Sequence, residues 1–186
     1  MPSSPLYPVF LHLRARPVLL VGGGNVAAGK LLGLLEAGAH VTVVAPEIRS
    51  ELLKPGVRYA PRPFQADDLD GKWLAVAAAP AEVNRQVAQA AEVRGIFVNA
   101  VDDKDSASAY LGGVVRKGGV TLAVSTDGRA PALSGLLREA LEALLPDELA
   151  EWIQTAEKLR ARWREEHIPI DQRRPLLLRA LQERYR

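Results

Sequence analysis

Pro17-Val18-Leu19-Leu20-Val21-Gly22-Gly23-Gly24-Asn25-Val26-Ala27 is the stretch that decides the fold. An apolar run stops at three glycines and a helical pattern follows at once. That order reads as a buried strand, a tight turn, and a helix whose N-terminus is open to an anion. Gly22 lets the chain turn sharply out of the strand. Gly24, without a side chain, leaves room for a phosphate to reach the backbone. Ala27 stands in the third place of Gly-x-Gly-x-x-Gly/Ala, small enough for the helix to lie on the strand. The plainer reading is a glycine turn with no ligand. The strand before it and the helix after it weigh against that.

Downstream, Val26, Lys30, Leu31, Leu34 and Leu35 recur with a 3.6-residue rhythm, and Gly38 stands where a left-handed residue closes a helix. Val41-Thr42-Val43-Val44-Ala45 then reads as a second buried parallel strand, so residues 17–45 form one βαβ unit. The acid that often ends such a strand and binds a ribose is missing. Ala45-Pro46 stands there, and the first acid is Glu47. Glu47 has two readings, a ribose ligand in the loop or a first-turn acid on the next helix. No arginine directly follows Ala45, which favours NAD; Arg49 leaves NADP open.

Strands are expected over 57–60, 73–78 and 96–101, with a helix over 82–93 carrying Val83, Val87, Ala90 and Ala91 inward. The alternation predicts an α/β fold: a Rossmann-like parallel sheet, with ligands at the carboxyl ends of its strands. The residues just past those ends are the glycine turn, Ala45-Pro46-Glu47, Ala79-Pro80 and Asn99 to Asp103. Beyond residue 102 the character changes. Residues 114–124 read as a hairpin turning near Gly118, and Pro131 opens a helix with a stripe of Leu133, Leu136, Leu137, Ala140, Leu141 and Leu144. A hairpin and one helix bury too little alone, so this module is expected to dimerise with its copy. Two more helices follow, broken at Ile168-Pro169. The expected division is a nucleotide-binding domain over 1–102, a dimerisation module over 103–146 and a small helical C-terminal domain over 147–186.

Composition narrows the function. With 48% hydrophobic and 25% charged residues the chain reads as a folded globular protein. It has no cysteine, which removes thiol chemistry, and His12, His40 and His167 lack metal-ligand spacing, so no metal site is expected. A net charge of +2 is too small to suggest a nucleic-acid partner. No apolar run is long enough to span a membrane, and Met1 to Pro5 lacks the basic and apolar parts of a secretion signal, so a cytoplasmic protein is the default expectation.

Asp102 is the candidate catalytic group. It follows a buried strand at the sheet's ligand-binding edge, where partial burial beside Asp103 and Asp105 would suit it to proton transfer. The plainer reading is an aspartate capping its own loop. Asn99 reads as a cofactor ligand or as a strand-end residue satisfying its own backbone. Ser125 and Thr126 precede a glycine and read as an anion-binding pair or an ordinary turn.

Several stretches taken together resemble the precorrin-2 dehydrogenase family, which also forms the N-terminal half of bifunctional siroheme synthase. They are Val21 to Ala27 with Lys30; Leu35 to Ala39 with Val41 to Glu47; Val83-Asn84; Val98 to Asp103; and Ala123 to Gly128 with Pro131-Ala132-Leu133. The resemblance implies a homodimer that oxidises precorrin-2 to sirohydrochlorin and passes a hydride to NAD. It implies cofactor contacts at Asn25, Val26, Pro46 and Glu47, beside Gly22, Gly24 and Asn99, and places the family's essential aspartate on Asp102. The family's phosphorylated serine falls on Thr126. Some members insert iron as well, which here would use Asp102 and the tetrapyrrole nitrogens. Three departures bear on substrate contacts: Ala79-Pro80-Ala81 for Thr-Asp-Asp, Tyr110 to Gly113 for Phe-x-x-Pro, and Ala130 for Ser. The rival reading is a non-catalytic NAD-sensing module, which explains the glycines but not Asp102 after Asn99.

Overall fold

The computed structural model describes residues 5–185, with the side chain of Arg184 left aside; the expected lack of a leader concerns Met1 to Ser4, which lie outside the described residues. The chain divides into two compact units, Met1–Leu111 and Gly112–Arg186.

The first unit is built on five parallel strands: β1 (Pro17–Val21), β2 (His40–Val44), β3 (Arg58–Ala60), β4 (Leu74–Ala77) and β5 (Phe97–Ala100), in the order β3-β2-β1-β4-β5. Alternate residues of these apolar strands face opposite layers, as period two requires. Val18, Leu20, Val41, Val43 and Val76 meet Ala27, Leu31 and Leu34 of helix α1 (Asn25–Glu36). Leu19, Val21, Val44, Ala75 and Val98 meet Val87, Ala88 and Ala91 of α2 (Ala81–Val93). Both faces of the sheet are covered, which is why the strands read as unbroken apolar runs. Gly38 ends α1 with φ +75°, as expected.

The strand order reverses direction at β1, whose neighbours are β2 and β4. In an open parallel sheet that switch point opens a crevice at the carboxyl ends. In register there, Val21 pairs with Ala77 and Ala77 with Ala100. The exits of β1 and β5 are thus separated only by β4.

Two expectations shift. Trp73 does not belong to the buried strand: it is 49% exposed and its ring stacks under Arg16, 3.8 Å from centroid to guanidinium. Residues 103–111, expected with the second module, lie with the first unit, because the amides of Ser108 and Ala109 donate to Val98 O at 2.9 Å and the Val98 amide donates to Ser108 Oγ at 2.8 Å.

The second unit holds an antiparallel hairpin, β6 (Gly113–Lys117) and β7 (Val120–Val124), and helices α3 (Pro131–Leu144), α4 (Leu149–Glu165) and α5 (Ile170–Gln182). Gly118 and Gly119 make the hairpin turn with φ +57° and +85°, a conformation glycine adopts without a Cβ penalty. A Cβ on Gly118 would stand 2.6 Å from Leu149 Cβ, so the turn is packed on the start of α4. On α4 an apolar stripe faces inward, ending in Leu149 and Trp163, each 7% exposed. On α3 it does not: Leu133, Leu136, Leu137 and Leu144 are exposed. Among the described residues no helix is long and apolar enough to cross a membrane.

Candidate functional site

The site starts where β1 ends. Gly22 turns the chain with φ +130° and donates its amide to Val44 O at 2.9 Å. A Cβ there would lie 2.2 Å from Ala78 O, so no other residue fits. Gly23, to which the sequence reading gave no role, is as constrained: a Cβ would lie 1.8 Å from Glu47 O. Its signal was its place as the middle one of three consecutive glycines. Gly24 is the opposite case. Nothing stands within 4 Å of the place its Cβ would take. Gly24 is also the N-cap of α1, and no side chain caps that end. The first-turn amides, which have no partner inside a helix, therefore face open space in front of a bare backbone. Val26, on the same turn, is 51% exposed although its spacing placed it in the apolar stripe.

The loop after β2 lies against this turn. Pro46 and Glu47 are exposed. The next helical element is a short 3₁₀ turn, Ser50–Leu52, whose N-cap is Arg49 and whose first-turn acid is Glu51. The reading of Glu47 as a helix-start acid is thereby corrected: the helix begins three residues later, and the Glu47 backbone instead closes on Gly23. The Arg49 amide donates to Gly23 O at 3.1 Å, and its guanidinium donates to Asn25 Oδ1 at 2.8 Å.

The third part comes from β4 and β5. Asn84 on α2 is 2% exposed and joins the two strand exits. Its Oδ1 accepts from the Ala79 amide at 3.0 Å and its Nδ2 donates to Val101 O at 3.2 Å. The Val101 amide donates to Ala77 O at 2.9 Å. Asp102 then takes φ +58°, the left-handed region that a non-glycine residue enters at a cost of roughly 1 kcal/mol or more. The loop-capping role considered for Asp102 falls to its neighbour. Asp103 Oδ1 accepts from the Ser106 amide at 3.1 Å, and Ser106, through its hydroxyl first and its amide second, holds the Asp103 carboxyl below its ordinary range. Asp102 makes no hydrogen bond or ion pair among the described residues. The partial burial expected for it is not found: the left-handed turn leaves it exposed at the mouth of the cleft.

A cleft of about 200 Å³ joins these parts, lined among others by Val26, Ala79, Asn84, Val101, Asp102 and Asp103. The helix start beyond β1 and the aspartate beyond β5 thus share one hollow. A larger hollow of about 300 Å³, between residues 11–14 and 36–38, lies at the far end of α1 from the glycines. The open place at Gly24, the uncapped helix and the shared cleft fit a dinucleotide with its phosphates on the turn and its reactive end toward β5.

The other candidates lie outside that cleft. Asn99 is 8% exposed on β5; its Nδ2 donates to Ala109 O at 3.0 Å, while its Oδ1 has no donor. Ser125 and Thr126 belong to the second unit. Ser125 Oγ accepts from the Asp127 amide at 3.1 Å and Thr126 Oγ1 from the Ala130 amide at 3.2 Å, so both hydroxyls already brace their own loop. Among the described residues no three His, Cys, Asp or Glu side chains gather as a metal site.

Residues 9–113 match the family model described as "Putative NAD(P)-binding". The chain belongs to this NAD(P)-binding family. Over 172 residues it is 42% identical to Siroheme synthase 3 of Aeromonas hydrophila subsp. hydrophila, covering 90% of this chain and 37% of that protein. Over 145 residues it is 46% identical to Siroheme synthase of Tolumonas auensis, covering 76% of this chain and 31% of that protein. The chain therefore spans about a third of these curated relatives. Among solved structures it is similar to SirC, precorrin-2 dehydrogenase, with a TM-score of 0.69 and 25% identity over 94% of this chain and 88% of that one. The parallel sheet, hairpin and helical C-terminus are the fold of that structure. The family resemblance read from the residues holds, and the cofactor class is a nicotinamide dinucleotide.

Proposed function

We propose that this chain is an NAD-dependent dehydrogenase that oxidises precorrin-2 to sirohydrochlorin in siroheme synthesis. The observation that carries the reading is the single cleft that holds both the N-terminal turn of α1, at Val26, and Asp102. The likeness to siroheme synthases and to SirC names the substrate class.

NAD, when bound, accepts the hydride that precorrin-2 loses. The chain's own residues do the rest. Gly22 and Gly23 hold the turn, Gly24 admits the pyrophosphate, and the amides of Asn25 and Val26 donate to it. Pro46 and Glu47 flank the adenosine ribose, and Asn99, on β5 beside the cleft-lining Val101, supports the cofactor's end of the site. Asp102 accepts the proton that leaves precorrin-2 as its new double bond forms, or orients the ring for that loss; catalysis is mainly positioning. Ser125 and Thr126, on a loop of the second unit, are an anion-binding pair suited to a carboxylate. In this reading residues 1–111 make up the nucleotide-binding unit, 112–146 form the dimer and 147–186 close the helical domain of a cytoplasmic homodimer.

Purified protein incubated without oxygen with precorrin-2 and NAD is expected to form NADH and sirohydrochlorin together, followed by absorbance. Binding of NAD with neither product would leave an NAD-sensing module and end the enzyme reading. Adding ferrous iron to the same mixture tests iron insertion.

A further inference from the structure

Arg49 has no place in the chemistry described above, yet its position is closely set. Its backbone is pinned to the glycine turn twice, by the contact of Glu47 with Gly23 and by its own amide on Gly23 O at 3.1 Å. Its exposed guanidinium is drawn to the first residue of α1 by a neutral acceptor, Asn25 Oδ1, at 2.8 Å. No ion pair neutralises it among the described residues. Glu51 feels its charge, but that carboxyl is held below its ordinary range first by its own amide and then by Ser50, before Arg49 contributes. A cation that is always charged, carries five donors and uses one on an amide thus stands beside uncapped helix amides and the open place at Gly24.

We propose that Arg49 is a diphosphate-binding residue: its guanidinium straps the cofactor's pyrophosphate against the start of α1, with Asn25 as the hinge that presents it. This rests on the dinucleotide reading of the turn and concerns neither the ribose 2′-position nor precorrin-2. A carboxylate at the end of β2 usually anchors the ribose, and Ala45-Pro46 lacks one. With Glu47, further along the loop, the nearest acid left for the ribose, a charge on the phosphates adds to the hold on the cofactor.

The test is calorimetric titration of the full chain with NAD, NADP, ADP and adenosine, for wild type, Arg49→Ala, Arg49→Lys and Asn25→Ala. Loss of one charge-assisted bond predicts that Arg49→Ala weakens NAD, NADP and ADP alike by about tenfold or more. Adenosine is expected to bind as before, and Arg49→Lys to recover part of the loss. Unchanged NAD and ADP affinity in Arg49→Ala would overturn the proposal and leave the residue a loop strap. So would a loss confined to NADP, which would put the guanidinium at the 2′-phosphate. Wild type that binds NAD but leaves precorrin-2 untouched would end the dehydrogenase reading and leave this inference standing on the titrations. Arg49 is exposed, so Arg49→Ala is expected to melt with the wild type, which separates binding from folding.

Discussion

Asp102 carries two separate properties, a carboxylate in the cleft and a left-handed backbone, and substitutions can part them. Asparagine tolerates φ +58° about as well as aspartate. Asp102→Asn is therefore expected to fold and to bind NAD within about twofold of wild type, while turnover falls about a hundredfold or more, as loss of a proton-transferring group predicts. Glycine relieves the backbone cost, so Asp102→Gly is expected to gain up to about 1 kcal/mol of stability and still lose turnover. Denaturant midpoints and steady-state rates on the same samples check this; a variant that keeps turnover removes Asp102 from the chemistry. The three glycines divide in the same manner. Gly23→Ala drives a Cβ toward Glu47 O, 1.8 Å away, and is expected to cost about 2 kcal/mol or more. Gly24→Ala meets nothing within 4 Å and is expected to fold within about 0.5 kcal/mol of wild type, yet to bind NAD about tenfold more weakly or worse, because the methyl fills the phosphate's place. Equal NAD affinity in Gly24→Ala, measured by titration, would refute the cradle.

One short segment shows how a local element sets a pH response. The stretch between β3 and β4 holds a 3₁₀ turn, Ala66–Leu69, closed by a reciprocal cap between Gln65 and Asp68. Arg62 grips Asp68 through two bonds, at 2.9 and 2.6 Å, and the Gln65 amide adds a third at 2.9 Å. Arg62 first, and that amide after it, hold the Asp68 carboxyl below its ordinary range. A lowered folded pKa contributes stability that is present above the unfolded value of about 3.9 and is lost as the pH falls through the folded value. Urea midpoints from pH 6 to 3 are expected to drop more steeply for wild type than for Asp68→Asn, and parallel curves would contradict this. Most strands and helices were legible because they are apolar on the right period and bounded by Gly or Pro. The grip of Arg62 on Asp68 was not, since it depends on a side chain reaching across six residues.

The second unit poses its question across the chain entire. Its few buried apolar residues include Val115, Leu149 and Trp163, while α3 leaves Leu136 64% and Leu144 77% exposed. That stripe, clean in sequence, leaves Leu133, Leu136, Leu137 and Leu144 largely exposed in its own unit, which supports the proposed homodimer. Leu136→Glu is expected to convert a dimer to a monomer by light scattering with its helix content unchanged; a variant that keeps the wild-type mass would send the stripe to another role. The chain's order of apolar runs and glycines determined the sheet, its parallel sense and the phosphate turn, because period and turn chemistry are local properties. Where Asp102 stands relative to Val26, why Gly23 is constrained, that Asn84 ties two strand exits, and which of Asp102 and Asp103 caps the loop were decided by tertiary structure alone. The place of Asp102 and the tie made by Asn84 depend on β4 lying between β1 and β5, and the constraint on Gly23 depends on β2 lying beside β1, neighbourhoods that come from strand order and not from distance along the chain.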